Sequence, residues 1–90
     1  MIDERTWNGV QEFLAEGRRI TGDEHFRFEI SFHSDLDGAE LRADWWRNGK
    51  MSGLAREVLI AEILSARYPH IVLQAHLQNM LDKIAVACRA

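Results

Sequence analysis

The residues best suited to a binding function are one tryptophan and the cations close to it. Trp46 falls on the polar side of an alternating segment, and His25, Arg27, Arg47 and Lys50 are expected around it. Tryptophan and arginine are enriched among the residues that dominate protein–protein binding, and an aromatic ring among cations can also stack on single-stranded bases. We therefore predict a partner-binding patch at these five residues. In the competing interpretation, Trp46 folds over Arg27 or is covered by the N-terminal helix.

A run of potential oxygen ligands has spacing similar to that of a calcium loop. His33, Asp35, Asp37 and Gly38 are followed by Asp44. A calcium loop of this type lies between two helices and ends in a bidentate glutamate. Here a histidine takes the first ligand position and the flanking segments alternate like strands. Aspartates in a hairpin turn explain the same residues, so no metal site is predicted.

The histidines and the single cysteine do not form a catalytic or metal-binding group. His70 and His76 point to different sides of a helix, and His25 and His33 lie at opposite ends of one strand. Cys88 has no second cysteine with which to form a disulfide or a zinc site. In the last turn of an apolar helix, a cysteine is usually a small buried hydrophobe. The sequence therefore predicts no catalytic residue, metal or cofactor.

A β-hairpin from His25 to Arg47 must position Trp46. Alternate residues in two segments are apolar, which is the period of strands with one buried face. These residues are Phe26, Phe28, Ile30 and Phe32 in the first segment, and Ala39, Leu41, Ala43 and Trp45 in the second.

The register of this hairpin follows from charge. Opposite charges that face each other across two strands stabilise the pair, and like charges destabilise it. We therefore pair Arg27 with Asp44 and Glu29 with Arg42. This register leaves a loop from Ser34 to Asp37.

Helical periodicity marks both ends of the chain. We predict a helix from Asp3, as its N-cap, to Arg19, and a second one from His70 to Arg89. Gly9 is costly inside a helix, so it marks either a close approach to another element or a weak point.

The segment between the hairpin and the last helix supports two interpretations. Asn48-Gly49 is a strong hairpin signal, so Lys50 to Ser52 could form a short third strand. The apolar residues that follow, however, surround most of a helix. We therefore predict a helix from Gly53 to Tyr68, ended by Pro69. The predicted fold is one α+β domain over residues 1–90, with an N-terminal helix, a hairpin and two C-terminal helices packed on the sheet.

Two features predict a homodimer. The middle helix would be apolar nearly all round, which is difficult to bury in a small monomer, and a lone hairpin has two unpaired edges. The subunits would join through either helix packing or edge pairing, and a helical interface would combine that helix with the heptad-like seam of the last one. Its residues are Leu59, Ile60, Ile63, Leu73, Leu77, Met80 and Ile84.

The bulk properties narrow the classes of partner and compartment. The formal net charge of −3 argues against general affinity for nucleic acid. The acidic start lacks a secretory signal, and no apolar stretch is long enough to span a membrane. With one cysteine, the chain fits a reducing compartment, and we expect a cytoplasmic protein.

Three functional hypotheses follow, and no motif is specific enough to indicate a family. The leading one is a small, acidic, non-enzymatic protein-binding module, such as an adaptor, chaperone, immunity-type protein or inhibitor. It would act as a homodimer that masks or bridges partner surfaces. The alternatives are a nucleic-acid-associated regulator that uses the rim of Trp46 and arginines, and a small-ligand or enzymatic subunit with a site at the dimer interface.

Overall fold

The computed structural model of the chain describes residues 4–33 and 38–89. Its elements are α1 (Glu4–Thr21), β1 (Arg27–His33), β2 (Gly38–Arg47), β3 (Lys50–Leu59), α2 (Ile60–Ser65) and α3 (Pro69–Arg89). The strands form one antiparallel sheet in the order β1-β2-β3. The predicted α+β class is therefore confirmed, with a three-stranded sheet and two long helices. None of the helices in the described ranges combines the length and the apolar character that crossing a membrane requires.

The predicted register of the first hairpin is confirmed. Arg27 lies opposite Asp44, and Glu29 lies opposite Arg42. The loop from Ser34 to Asp37 lies outside the described residues, as does the predicted N-cap of α1.

The helix predicted from Gly53 to Tyr68 is wrong over its first half. Residues 50–59 form a strand that pairs with β2 along its whole length, and only 60–65 are helical. The cause is the turn at Asn48 and Gly49, whose φ angles are 55° and 76°. Two consecutive positive φ angles are the signature of a two-residue type I′ hairpin turn, which returns the chain alongside the preceding strand.

The side chains of this segment also suit a strand. Leu54 and Val58 lie opposite Ala43 and Ala39 of β2 and face the helices with them, and Val58 is buried. Arg56 shares this face and donates a hydrogen bond to His76 of α3, whereas Ala55 and Glu57 face the other way. The apolar pattern read as helical thus fits a strand with one buried face, and pairing with β2 decides between the two.

Helices α1 and α3 cover one face of the sheet and enclose the core. The ring of Phe13 packs at 5.8 Å from that of Phe26 and 4.9 Å from that of Phe28, and Phe26 stacks on Trp45. The buried apolar residues are Val10, Phe13, Phe26, Ala39, Leu41, Ala43, Trp45, Val58, Leu77, Met80, Ile84 and Cys88.

The core does not extend along the whole of β1. Phe26 is buried and Phe28 and Ile30 are partly buried, but Phe32 is 73% exposed. Phe32 has the alternation of a core residue, yet it lies near the end of the edge strand β1, and its side chain is exposed although its partner Ala39 is buried.

Two glycines in α1 permit close packing. A β-carbon at Gly17 would collide with the ring of Phe26, and one at Gly9 would meet the side-chain amide of Gln74 on α3. The interpretation of Gly9 as a point of close approach is therefore confirmed.

We expect opposite results from alanine at these two positions. Gly17→Ala should destabilise the fold by about 1–2 kcal/mol, because the cost of overpacking the aromatic cluster exceeds the gain in helix propensity. Gly9→Ala should be neutral or stabilising by up to about 1 kcal/mol, since the exposed Gln74 side chain can rotate away. Urea unfolding of both variants tests this expectation, and equal effects would contradict it.

Candidate functional site

The sheet face opposite the helices, called the outer face here, has no element packed on it in the described part of the chain. Its residues alternate with those of the core along all three strands. They are Arg27, Glu29, Ser31, Glu40, Arg42, Asp44, Trp46, Met51, Gly53, Ala55 and Glu57. A sheet with one buried face and one solvent-exposed face normally carries polar residues on the exposed side. Large apolar residues on that side are therefore candidates for a binding surface.

Two large apolar side chains lie together on the outer face. Trp46 and Met51 are directly opposite each other in the β2–β3 ladder, and they are 54% and 46% exposed. Because α1 packs on the other side of the sheet, it does not cover Trp46. The pair forms an apolar patch next to the turn at residues 48–49.

A carboxylate lies at the centre of the outer face. Asp44 Oδ1 accepts a hydrogen bond from Arg42 Nε at 3.2 Å, and Arg27 Nη2 lies 3.9 Å from Oδ2. The Asp44 side chain is only 14% exposed, because it lies over Gly53, where a β-carbon would come within 2.6 Å of Oδ1. Small residues in β3 thus leave a groove beside Met51 that Asp44 and Arg42 also line.

A second carboxylate holds the end of β2 that carries Trp46. Asp23 Oδ2 accepts the backbone N–H of Trp46 at 2.7 Å, and Oδ1 accepts that of His25 at 2.9 Å. The hydrogen bond from Trp46, followed by that from His25, lowers the pKa of Asp23 below its ordinary value. Asp23 therefore joins the segment before β1 to β2 where the ladder has ended.

The structure brings together only part of the predicted partner-binding patch. Arg27 shares the outer face with Trp46, and His25 is attached next to it through Asp23. Arg47 and Lys50 pair with each other across the turn, and by alternation they belong to the opposite face. Position in the chain alone predicts that both residues are neighbours of Trp46, but alternation along the strands places them on the other face.

Three outer-face residues near Trp46 do not belong to the predicted patch. The predicted helix puts Met51 in the turn before it, so the sequence gives no sign of its position opposite Trp46. The predicted register explains Arg42 and Asp44 only by their pairing with β1. A third strand read from Asn48-Gly49 would have placed all three beside the tryptophan.

The predicted subunit interface is largely used inside the chain. Leu77, Met80 and Ile84 are fully buried between α3, α1 and the sheet. Ile63 and Leu73 are partly buried against the same core. Leu59 ends β3 and Ile60 begins α2. The buried part of the α3 seam is therefore covered within one chain.

The cysteine, one histidine and the potential metal ligands do not form a chemical site in the described residues. Cys88 is buried, and His76 Nδ1 accepts a hydrogen bond from Arg56 Nε at 2.9 Å, which attaches β3 to α3. Within residues 4–33 and 38–89, no three potential metal ligands come together. Asp35 and Asp37 of the calcium-like run lie outside those ranges.

Comparison with known proteins gives no relative for this chain. No protein-family model matches it, and neither a curated protein nor a solved structure does.

We expect Asp23→Asn to lower the melting temperature at neutral pH. Asparagine offers one acceptor oxygen in place of two, so the N–H of Trp46 or His25 loses its partner. Because the folded-state pKa of Asp23 is lowered, its contribution is present above the unfolded pKa of about 3.9 and is lost as pH falls through the folded-state pKa. The difference from wild type should therefore shrink below about pH 4.

Thermal melts at several pH values measure this difference. Glu24→Gln is the matched control, because it removes a charge from the same turn without removing either hydrogen bond. A difference between wild type and Asp23→Asn that does not depend on pH would contradict the role given to the carboxylate.

Proposed function

We propose that the protein is a non-enzymatic protein-binding module that docks its partner on the outer face. It acts as a homodimer that masks or bridges partner surfaces. The observation that carries this proposal is the exposed pair of Trp46 and Met51 beside a groove lined by charged side chains. Tryptophan, methionine and arginine are all enriched at protein–protein interfaces, whose rim is polar. The residues that dominate binding are typically surrounded by contacts that contribute little energy but exclude water.

Charge on the outer face favours a protein partner over nucleic acid. Arg27 and Arg42 are both directed toward Asp44, and further carboxylates interrupt the face. Those carboxylates belong to Glu29, Glu40 and Glu57. A phosphate backbone requires clustered cations, whereas mixed charge around an apolar centre suits the rim of a protein interface.

The free edges of the sheet support the homodimer. The outer edges of β1 and β3 have no neighbouring strand in the described part of the chain. Such edges tend to pair with another strand unless they are blocked. A subunit contact through an edge would leave the outer face open to a different partner.

We expect Trp46→Ala to weaken partner capture by about 30-fold or more. Truncating a buried tryptophan anchor typically costs about 2–4 kcal/mol of binding energy. The measurement is a tagged pull-down from native lysate, with and without nuclease, followed by titration of the recovered partner.

Trp7→Ala is the matched control, because Trp7 is 53% exposed on α1, away from the outer face. Capture that survives nuclease and is lost only in Trp46→Ala supports the proposal. Equal loss in both variants, or partners that disappear after nuclease, would contradict it, and the latter result would favour a nucleic-acid-associated regulator.

A further inference from the structure

The outer edge of β3 lacks the protection that exposed strand edges usually have. β3 pairs with β2 from Lys50 to Leu59 without a bulge, and the segment Met51–Ala55 contains neither charge nor proline. Natural edge strands are commonly shielded by charges, prolines, bulges or a covering element. Met51, Gly53 and Ala55 are exposed, so this edge is open to another strand.

The turn at Asn48-Gly49 determines which backbone groups of β3 are free. In a two-residue hairpin, the flanking residues Arg47 and Lys50 form a hydrogen-bonded pair, and such pairs alternate along the ladder. The N–H of Trp46 is consistent with this alternation, because it points away from β3 and donates its hydrogen bond to Asp23. The free N–H and C=O groups of β3 are therefore those of Met51, Gly53, Ala55 and Glu57.

The opposite edge of the sheet is less suited to strand addition. Arg27 and Glu29 place charges along β1, which is a common form of edge protection. Leu14 of α1 lines the groove beside Phe28, so a helix side chain borders this edge. β3 is also the longer strand, with 10 residues against 7.

The sequence of β3 is compatible with pairing to a second copy of itself. A two-fold axis between antiparallel strands lies perpendicular to the sheet, so facing residues come from the same side of each strand. A register centred on Gly53 would place Lys50 opposite Arg56, and registers centred on Arg56 or Glu57 would place like charges face to face, which is destabilising.

A register centred on Leu54 avoids every such conflict. It places Leu54 opposite its own copy, Gly53 opposite Ala55, and Arg56 opposite Ser52. Apolar and small residues then face each other, and each arginine faces a hydroxyl that can accept a hydrogen bond. A centre at Ala55 would instead place Leu54 opposite Arg56 and require pairing beyond Leu59, where β3 ends.

We propose that two copies of the chain join through β3, antiparallel and centred on Leu54, into one continuous sheet. This proposal rests on the homodimer in the proposed function and identifies its interface. A two-fold axis perpendicular to the sheet keeps both outer faces on the same side. The two Trp46–Met51 pairs then share one surface, which makes the dimer a bivalent docking platform.

A cysteine at the dimer axis tests the register. Leu54 faces its copy in a non-hydrogen-bonded pair, where Cα atoms lie about 4.5 Å apart, within the span of about 4.4–6.8 Å that a disulfide requires. Leu54→Cys should therefore give a covalent dimer on mild oxidation. Ala55→Cys should not, because its two copies are diagonal neighbours about 7–8 Å apart. Wild type, whose Cys88 is buried, is the control for adventitious oxidation.

A proline at an outward-facing N–H tests the edge without cysteine chemistry. Ala55→Pro removes a donor that β2 does not use, so the hairpin should remain folded. Both copies lose this donor, and dimerisation should weaken by about tenfold or more. Sedimentation over a dilution series measures the association, and circular dichroism checks the fold of each variant.

The possible results of these experiments test the β3 interface independently of the proposed function. A dimeric wild type that cross-links through Leu54→Cys alone, and is weakened by Ala55→Pro, supports the β3 interface. A dimer that cross-links at neither position, or at both, contradicts the interface or its register and leaves the homodimer intact. A chain that is monomeric at every concentration contradicts both the interface and the homodimer, while docking at Trp46 is decided separately by the pull-down.

Discussion

Asn48 and Gly49 both adopt positive φ, and this turn constrains every later part of the structure. Asparagine tolerates the left-handed region better than other residues with a side chain, and glycine enters it freely. The turn directs the chain back along β2, so residues that suit a helix become a third strand. It also places Met51 opposite Trp46 and determines which backbone groups of β3 face outward. The outer face and the free edge both follow from these two residues.

The sequence predicts those parts of the fold in which local pattern and tertiary packing agree. The helix expected to end at Arg19 ends at Thr21, and the last helix begins at Pro69, one residue before the expected start. The register of β1 and β2 follows from charge pairs because both strands alternate clearly. From Gly53 to Leu59 the apolar residues fit both the helical and the strand period, and only pairing with β2, which helical periodicity does not reveal, selects the strand.

The candidate site is predictable in its centre and not in its surroundings. Trp46 stands out in the sequence because its strand already has a filled apolar face, and the structure leaves it more than half exposed. Its neighbours depend on pairing across strands, which position in the chain does not give. Arg47 therefore leaves the expected patch and Met51 enters it. The seam of α3 shows the same limit, since a heptad-like pattern does not distinguish packing within a chain from packing between chains.

Residue-resolved amide hydrogen exchange along β3 tests the central claim, that this strand creates the open edge and face. In dilute solution we expect exchange rates to alternate along the strand, with slow exchange at Ser52, Leu54 and Arg56 and fast exchange at Gly53 and Ala55. Concentrating the protein should slow exchange at the last two. Continuous protection from Gly53 to Tyr68 would instead indicate a helix and would contradict the open edge of β3.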